Sequence, residues 1–170
     1  MAVKINSRAS WSARRPRCRT AQNPHNIRRF VIHWPADMRD VLKGIDTDRE
    51  QDAYMRAIQD FHMGPDREWC DFAYSFAVFQ DGEIYRGRGL RSLPSAQLNA
   101  NTNTIAVLCV VGDQETPSLK MIQSLVALKD HCDKICGRDL QAIGHGQIPG
   151  QQSECPGPRV RAIVSRIGKH

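Results

Sequence analysis

The chain lacks the features that mark membrane-spanning, disulfide-framework and base-stacking proteins. None of its apolar runs approaches the roughly 20 residues needed to cross a bilayer. Six cysteines in 170 residues are too sparse for a disulfide framework. Aromatic residues make up only 6% of the chain and do not interleave with its arginines, as they do on surfaces that stack bases. We therefore expect no nucleic-acid partner and no stable membrane association.

The positive charge of the chain is concentrated near its start. The net charge is +6, which favours a nucleic acid, an anionic membrane or an anionic wall polymer as partner. The same charge also fits a solvated basic arm that binds nothing. The arginines that form the cluster are Arg14, Arg15, Arg17, Arg19, Arg28 and Arg29.

Length and composition indicate one globular domain over residues 1–170. An apolar fraction of 41% and a charged fraction of 25% are ordinary for a globular protein that buries a real core. The first residues carry a charge but no apolar segment behind it, so an ordinary signal peptide is not expected.

Apolar periodicity predicts strands and helices that alternate along the chain. Residues 1–28 read as an irregular arm anchored by Trp11, and 35–44 and 90–103 as loops. Because strands and helices interleave and one hairpin is present, we predict a mixed α/β fold with a central mixed sheet flanked by helices. The predicted elements are a strand at 29–34, a helix at 48–62, a hairpin of strands 72–79 and 83–86, a buried strand at 104–112, and helices at 117–135 and 158–167.

A loop near the C-terminus carries two good zinc ligands ten positions apart. His145 and Cys155 lie in the segment 144–157, which is too rich in glycine and proline to form a helix. Imidazole nitrogen and thiolate sulfur both suit zinc. His33, at the end of an apolar strand, is the best third ligand. Three protein ligands leave a fourth position for water, which distinguishes catalytic from structural zinc.

The other cysteines and one further histidine have simpler interpretations. Cys109 lies in an apolar strand and reads as a core residue. Cys132 and Cys136 are four residues apart in a helical pattern, and either pack in the core or form a conditional disulfide. His62, at a predicted helix end, is interpreted as a packing or capping residue rather than a ligand.

Five motifs in order give the chain a family resemblance that extends over residues 5–167. With them, the chain resembles the zinc amidase family that includes phage lysozyme-type amidases and animal peptidoglycan recognition proteins. The motifs are the Arg-x-x-Trp-x-Ala entry at 8–13, the strand 30–33 ending in histidine, Ile-Gln-x-x-His at 58–62, the pair of segments 69–76 and 81–89, and Gly144-His145 with Cys155-Pro156-Gly157.

The resemblance implies hydrolysis of the amide between the lactyl group of N-acetylmuramic acid and L-alanine in peptidoglycan. It assigns His33, His145 and Cys155 to Zn²⁺ and makes Tyr74 the group that orients or deprotonates the attacking water and donates to the oxyanion. Without the motif, Tyr74 would read as an inward-facing strand aromatic.

The chain departs from the family pattern at several positions. Trp34-Pro35 follows the first ligand in place of His-Thr, and Gly146-Gln147 replaces the usual Arg-Asp. Ser153 stands where relatives carry lysine or threonine, so it can donate a hydrogen bond to the oxyanion but brings no charge. Val110 and Val111 exclude the glutamate that some relatives place on the central strand.

Two functions of different classes follow from the resemblance. The first is a zinc-dependent N-acetylmuramoyl-L-alanine amidase, a monomeric phage endolysin made in the host cytoplasm and acting on the cell wall. The alternative is a non-catalytic peptidoglycan-binding receptor on the same fold. Binding-only relatives lack the cysteine ligand, so Cys155 favours the enzyme. A nucleic-acid binder with a structural zinc would need a fourth protein ligand, and none is evident near the three.

Overall fold

The computed structural model of the protein describes residues 3–35, 45–112 and 115–168. It contains five strands and three α-helices among these residues, and the predicted loop 35–44 lies outside them except for Pro35. The strands are β1 (Arg29–His33), β2 (Phe76–Val78), β3 (Ile84–Arg86), β4 (Thr104–Cys109) and β5 (Gln141–Gly144), and the helices are α1 (Asp48–Met63), α2 (Leu119–Cys136) and α3 (Gly157–Ile167).

The strands form one mixed sheet in the order β3-β2-β4-β1-β5. Strands β2, β4, β1 and β5 run parallel to one another. Strand β3 pairs antiparallel with β2 through the predicted hairpin. The carboxyl ends of β1, β4 and β5 therefore lie at the same edge of the sheet. Helices cover both faces, which confirms the predicted mixed α/β class.

Each face of the sheet supports its own apolar core because side chains alternate along a strand. From β4, Ile105 and Val107 enter the core beneath α2 and α3, whereas Leu108 enters the core beneath α1. All six residues of β4 are buried, as expected for a central strand covered on both sides.

Helix α1 starts at the predicted position for a clear local reason. The Thr47 side chain caps the helix by accepting a hydrogen bond from the Glu50 amide, and the Glu50 carboxylate accepts one from the Thr47 amide. This reciprocal pair satisfies amides that the first helical turn leaves without partners.

The N-terminal segment 3–28 packs on this body. Trp11 is fully buried, and its indole nitrogen donates to the Arg86 carbonyl at 3.0 Å. A disulfide between Cys18 and Cys70 joins the segment to the chain just before β2. Sequence analysis did not anticipate this pair, because the two cysteines are 52 positions apart.

Two sequence predictions differ from the structure in extent. The strand predicted at 72–79 is regular only over β2, because the carbonyls of residues 73–75 accept hydrogen bonds from the loops around Arg88 and Ser95. The Ser75 amide in this stretch donates to a strand, at Ala106 of β4. Strand β5 was not predicted, since four residues between a glycine-capped helix and a glycine-rich loop give no clear periodicity. Cys132 and Cys136 are free and buried, which resolves their two interpretations in favour of core packing.

No helix among the described residues has the length and apolar character that crossing a membrane requires.

Candidate metal centre

The ends of two neighbouring parallel strands bring two histidines together. His33 is the last residue of β1, and His145 directly follows β5. The two strands pair with Ile32 opposite Gly144, and the residue that follows each of these two is a histidine. Their ring centroids lie 4.8 Å apart. The pairing of two strands distant in sequence is what makes these residues neighbours.

Cys155 completes a group of three that can hold a metal ion. One ligand atom from each of His33, His145 and Cys155 lies within 4.8 Å of the others. The Cys155 Sγ is 3.6 Å from His33 Nδ1. A tetrahedral zinc, with bonds of about 2.3 Å to sulfur and about 2.0 Å to nitrogen, would separate these two atoms by about 3.5 Å. The spacing and the donor set both suit zinc.

The loop that carries Cys155 folds back onto His145 through its glycine. Gly146 donates its backbone amide to the Cys155 carbonyl at 2.7 Å. A Cβ at Gly146 would overlap the Ser153 carbonyl, so only glycine allows this approach. Ser153 Oγ in turn accepts the Cys155 amide at 3.1 Å. These contacts give a structural reason why the position after His145 is glycine in this chain.

Trp34 supports the sulfur from the other side. Its backbone forms a hydrogen bond with Cys155. Its indole lies so close to Gly157 that a Cβ there would meet the ring at 2.9 Å. Gly157 also has a φ of +76°, which disfavours other residues. The tryptophan that departs from the family pattern therefore packs against the Pro-Gly segment after the cysteine.

Burial keeps both histidines neutral. The pKa of His33 lies well below its usual value because the ring is buried and because His145 lies beside it. Burial also lowers the pKa of His145. The Nδ1 of His33 contacts the Cys155 sulfur. Its Nε2 has no hydrogen-bond partner among the described residues. A neutral imidazole that keeps one ring nitrogen unprotonated is a suitable metal ligand.

Burial acts in the opposite direction on the thiol. It raises the pKa of Cys155 to about 11, although the Trp34 backbone and the charge of Arg161 partly oppose the shift. Without a cation the sulfur therefore holds its proton at neutral pH. A bound dication would stabilise the thiolate, so the donor set of two imidazoles and one thiol fits zinc.

Tyr74 lies beside the centre on the irregular segment before β2, rather than on a strand as predicted. Its ring meets His33 edge-on, with centroids 5.2 Å apart. Tyr74 lines a cavity of about 200 Å³ together with Trp34, Trp69 and His62. A substrate group in this cavity would therefore lie next to the three-ligand group.

A larger groove also borders the centre and shares Trp69 with the cavity. It has a volume of about 810 Å³ and is bounded by residues 68–70, 95–101 and 145–153. His145 and Ser153 both line it, so the predicted Ser153 lies on the same groove as a predicted ligand. Six of its twelve other lining residues carry neutral amides or hydroxyls, which can exchange hydrogen bonds with a polar ligand.

His62 has the packing role that the sequence suggested. It is 6% exposed, and its Nδ1 accepts the Ala73 amide at 3.1 Å. Its ring stacks on Trp69 at 5.0 Å. The histidine thus fixes the segment that carries Tyr74.

Sequence analysis missed Gln151, whose side chain contacts both His145 and the opposite wall of the groove. Its only sequence signal was a place in the loop between two predicted ligands, where a glutamine has no distinguishing pattern.

Comparison with curated proteins finds animal relatives. No family model matches the chain. Peptidoglycan-recognition protein LB of Drosophila melanogaster is 29% identical over 171 residues, covering 96% of this chain and 68% of that protein. An N-acetylmuramoyl-L-alanine amidase of Sus scrofa is 32% identical over 111 residues, covering 62% of this chain but only 18% of that protein. The relatives therefore include a protein named as a peptidoglycan-recognition protein and a protein named as an amidase.

Solved structures share the fold over nearly the whole chain. Drosophila PGRP-LB superimposes with a TM-score of 0.81 at 28% identity, covering 96% of this chain and 94% of that chain. Peptidoglycan recognition protein LE, solved in complex with tracheal cytotoxin, superimposes with a TM-score of 0.80 at 25% identity, covering 95% and 92%. The layered sheet and helices described above are therefore those of this group of structures.

Proposed function

We propose that the chain is a zinc-dependent N-acetylmuramoyl-L-alanine amidase. Its sequence and fold support a peptidoglycan recognition protein and type 2 amidase-like family. The observation that carries the proposal is the group of His33, His145 and Cys155, whose ligand atoms lie within 4.8 Å of one another. The described residues offer three ligands and no fourth, which is the ligand number of a catalytic rather than a structural zinc.

The proposed chemistry is hydrolysis of the amide between N-acetylmuramic acid and L-alanine in bacterial peptidoglycan. When bound, zinc would lower the pKa of a water toward neutrality and polarise the scissile carbonyl. His33, His145 and Cys155 would hold it. The remaining tasks, positioning the substrate and handling the proton, belong to residues on the cavity and the groove that flank the centre.

Tyr74 and Ser153 are assigned different shares of those tasks. Tyr74 lies edge-on to His33, and we assign its hydroxyl the proton transfer and a hydrogen bond to the developing oxyanion. Ser153 already accepts the Cys155 amide, so its main contribution is to hold the ligand loop. Its hydroxyl proton remains able to donate to the substrate. Tyr74 therefore carries the larger catalytic effect.

The test combines metal content with the chemistry of the products. Purified protein should contain one zinc per chain, and digestion of peptidoglycan should release new L-alanine N-termini without new reducing sugars. His33→Ala and Cys155→Ala should lose zinc and activity together. His131→Ala is a matched control, because His131 lies on α2 against a different cavity. This variant should retain both zinc and activity. Full zinc occupancy in His33→Ala would contradict the assignment.

The receptor hypothesis predicts a different result in the same assay. A protein that binds zinc and peptidoglycan but releases no L-alanine N-termini would be a binding module. We favour the enzyme because Cys155 is present and its sulfur lies 3.6 Å from His33.

The biological setting expected from the sequence stays a prediction. The relatives named above come from animals, and nothing in the described residues bears on a phage origin. We retain a monomeric lysin, made in the host cytoplasm and acting on the cell wall, as the proposal to be tested by expression in a bacterial host.

A further inference from the structure

A chain of two hydrogen bonds ties His145 to the opposite wall of the groove. Gln151 Oε1 lies 3.2 Å from His145 Nε2. The amide nitrogen of the same side chain donates to the Leu98 carbonyl at 2.9 Å. Leu98 belongs to the loop before β4, whereas His145 and Gln151 belong to the loop after β5. One side chain therefore connects a proposed metal ligand to a separate part of the fold.

The Leu98 carbonyl determines which way the Gln151 amide points. A carbonyl oxygen can only accept a hydrogen bond, so the amide nitrogen must face it. The amide oxygen then faces His145, and this oxygen can also only accept. His145 must consequently carry its proton on Nε2. Nδ1 is left as the nitrogen with a lone pair.

We infer that Gln151 is a positioning residue of the metal centre, which holds His145 as the Nε2–H tautomer and so presents Nδ1 to the cation. The inference rests on the proposed zinc site. Metal-binding histidines usually donate their second ring nitrogen to an outer partner, which orients the ring and fixes its tautomer. Gln151 supplies that partner here through a neutral amide.

His145 needs such a partner more than His33 does. His33 lies on the regular strand β1 and is only 2% exposed, so packing restrains its ring. His145 begins a short 3-10 helix within a glycine-rich loop and is only partly buried. Its position depends on contacts within the loop, and Gln151 anchors that loop outside itself at Leu98.

Three substitutions separate the roles of the two hydrogen bonds. Gln151→Met removes both bonds while keeping a side chain of similar length. Gln151→Glu keeps the acceptor for His145 but loses the donor to Leu98. Gln152→Met is the control, because Gln152 is the exposed neighbour in the same loop and forms no hydrogen bond among the described residues. The histidine tautomer is measured by long-range ¹H–¹⁵N NMR on zinc-free protein at pH 7.5, and zinc affinity by competition with a chelator.

The wild type and Gln152→Met should both show the Nε2–H tautomer of His145 and equal zinc affinity. Gln151→Met should lose the tautomer preference and bind zinc about 10- to 100-fold more weakly, the usual effect of removing an outer partner. Gln151→Glu should keep the tautomer. If Gln151→Met retains the wild-type tautomer and zinc affinity, the inference is wrong whatever the activity. If instead the wild type binds zinc but leaves peptidoglycan intact, the amidase proposal fails and the inference stands.

Discussion

Asp71 is the most heavily bonded carboxylate in the described chain, and its replacement by asparagine is a sharp test of the structure. The side chain is 4% exposed. Its Oδ1 accepts from Gln59 at 2.6 Å and from the Phe72 amide at 2.8 Å, and both of its oxygens are bonded by Arg8. Asp71 thus joins the N-terminal segment, α1 and the start of the segment that carries Tyr74.

Asp71→Asn keeps the shape but removes the charge and turns one acceptor into a donor. The new amide nitrogen would face an Arg8 nitrogen, so two donors would oppose each other. Breaking a buried ion pair from one side costs about 3–5 kcal/mol, and we take the lower end, about 3 kcal/mol, because Arg8 remains partly in contact with water. For a chain of this size that corresponds to a fall in Tm of roughly 6–12 °C.

The chain contains a matched exposed pair for comparison. Arg14 and Asp60 lie 2.8 Å apart, with side chains 61% and 49% exposed. Exposed pairs contribute about 0–1 kcal/mol, so Asp60→Asn should change the free energy of unfolding little. Urea unfolding of both variants at pH 7 in EDTA, followed by circular dichroism, measures the difference. Should Asp71→Asn cost no more than Asp60→Asn, the buried network does not stabilise the protein as argued.

Three further outcomes are expected. Tyr74→Phe should keep zinc and fold but lose about 100- to 10,000-fold in turnover, whereas Ser153→Ala should lose less; the reverse order in a peptidoglycan assay would place the proton donor on the metal loop. Burial, and to a smaller extent the charges of nearby arginines, lowers the pKa of His62 to about 4. As the pH falls from about 6.5, this histidine is therefore protonated in the unfolded chain before it is protonated in the folded chain. The free energy of unfolding should decrease by about 3 kcal/mol as the pH falls from about 6.5 to about 4. Urea unfolding of His62→Gln in EDTA should show a flatter pH dependence, and an unchanged slope would contradict this origin. Replacing Cys18 and Cys70 together by serine should lower the free energy of unfolding by about 4 kcal/mol, from the closure entropy of the loop; equal stability of the variant and the oxidised wild type would count against the disulfide.

Local signals in the sequence were sufficient for most of the elements. The helix start at Thr47 is specified by residues within one turn, because a capping box is a local set of bonds. The central strand β4 was recognised from its unbroken apolar run, which reflects burial on both faces. Strand β5 was missed because it is short and is stabilised by pairing with β1, a contact that no local pattern reports.

The sequence by itself determined which residues could form the centre. His33, His145 and Cys155 were chosen from residue chemistry and motif order, and those properties are written in the chain. Only the tertiary structure decided that their ligand atoms meet within 4.8 Å, because that depends on the parallel pairing of β1 with β5. It alone also revealed the partners of the centre: the bridge from His145 through Gln151 to Leu98, and the network of Asp71. These contacts join residues far apart in sequence, and a hydrogen bond between distant residues leaves no periodic trace along the chain.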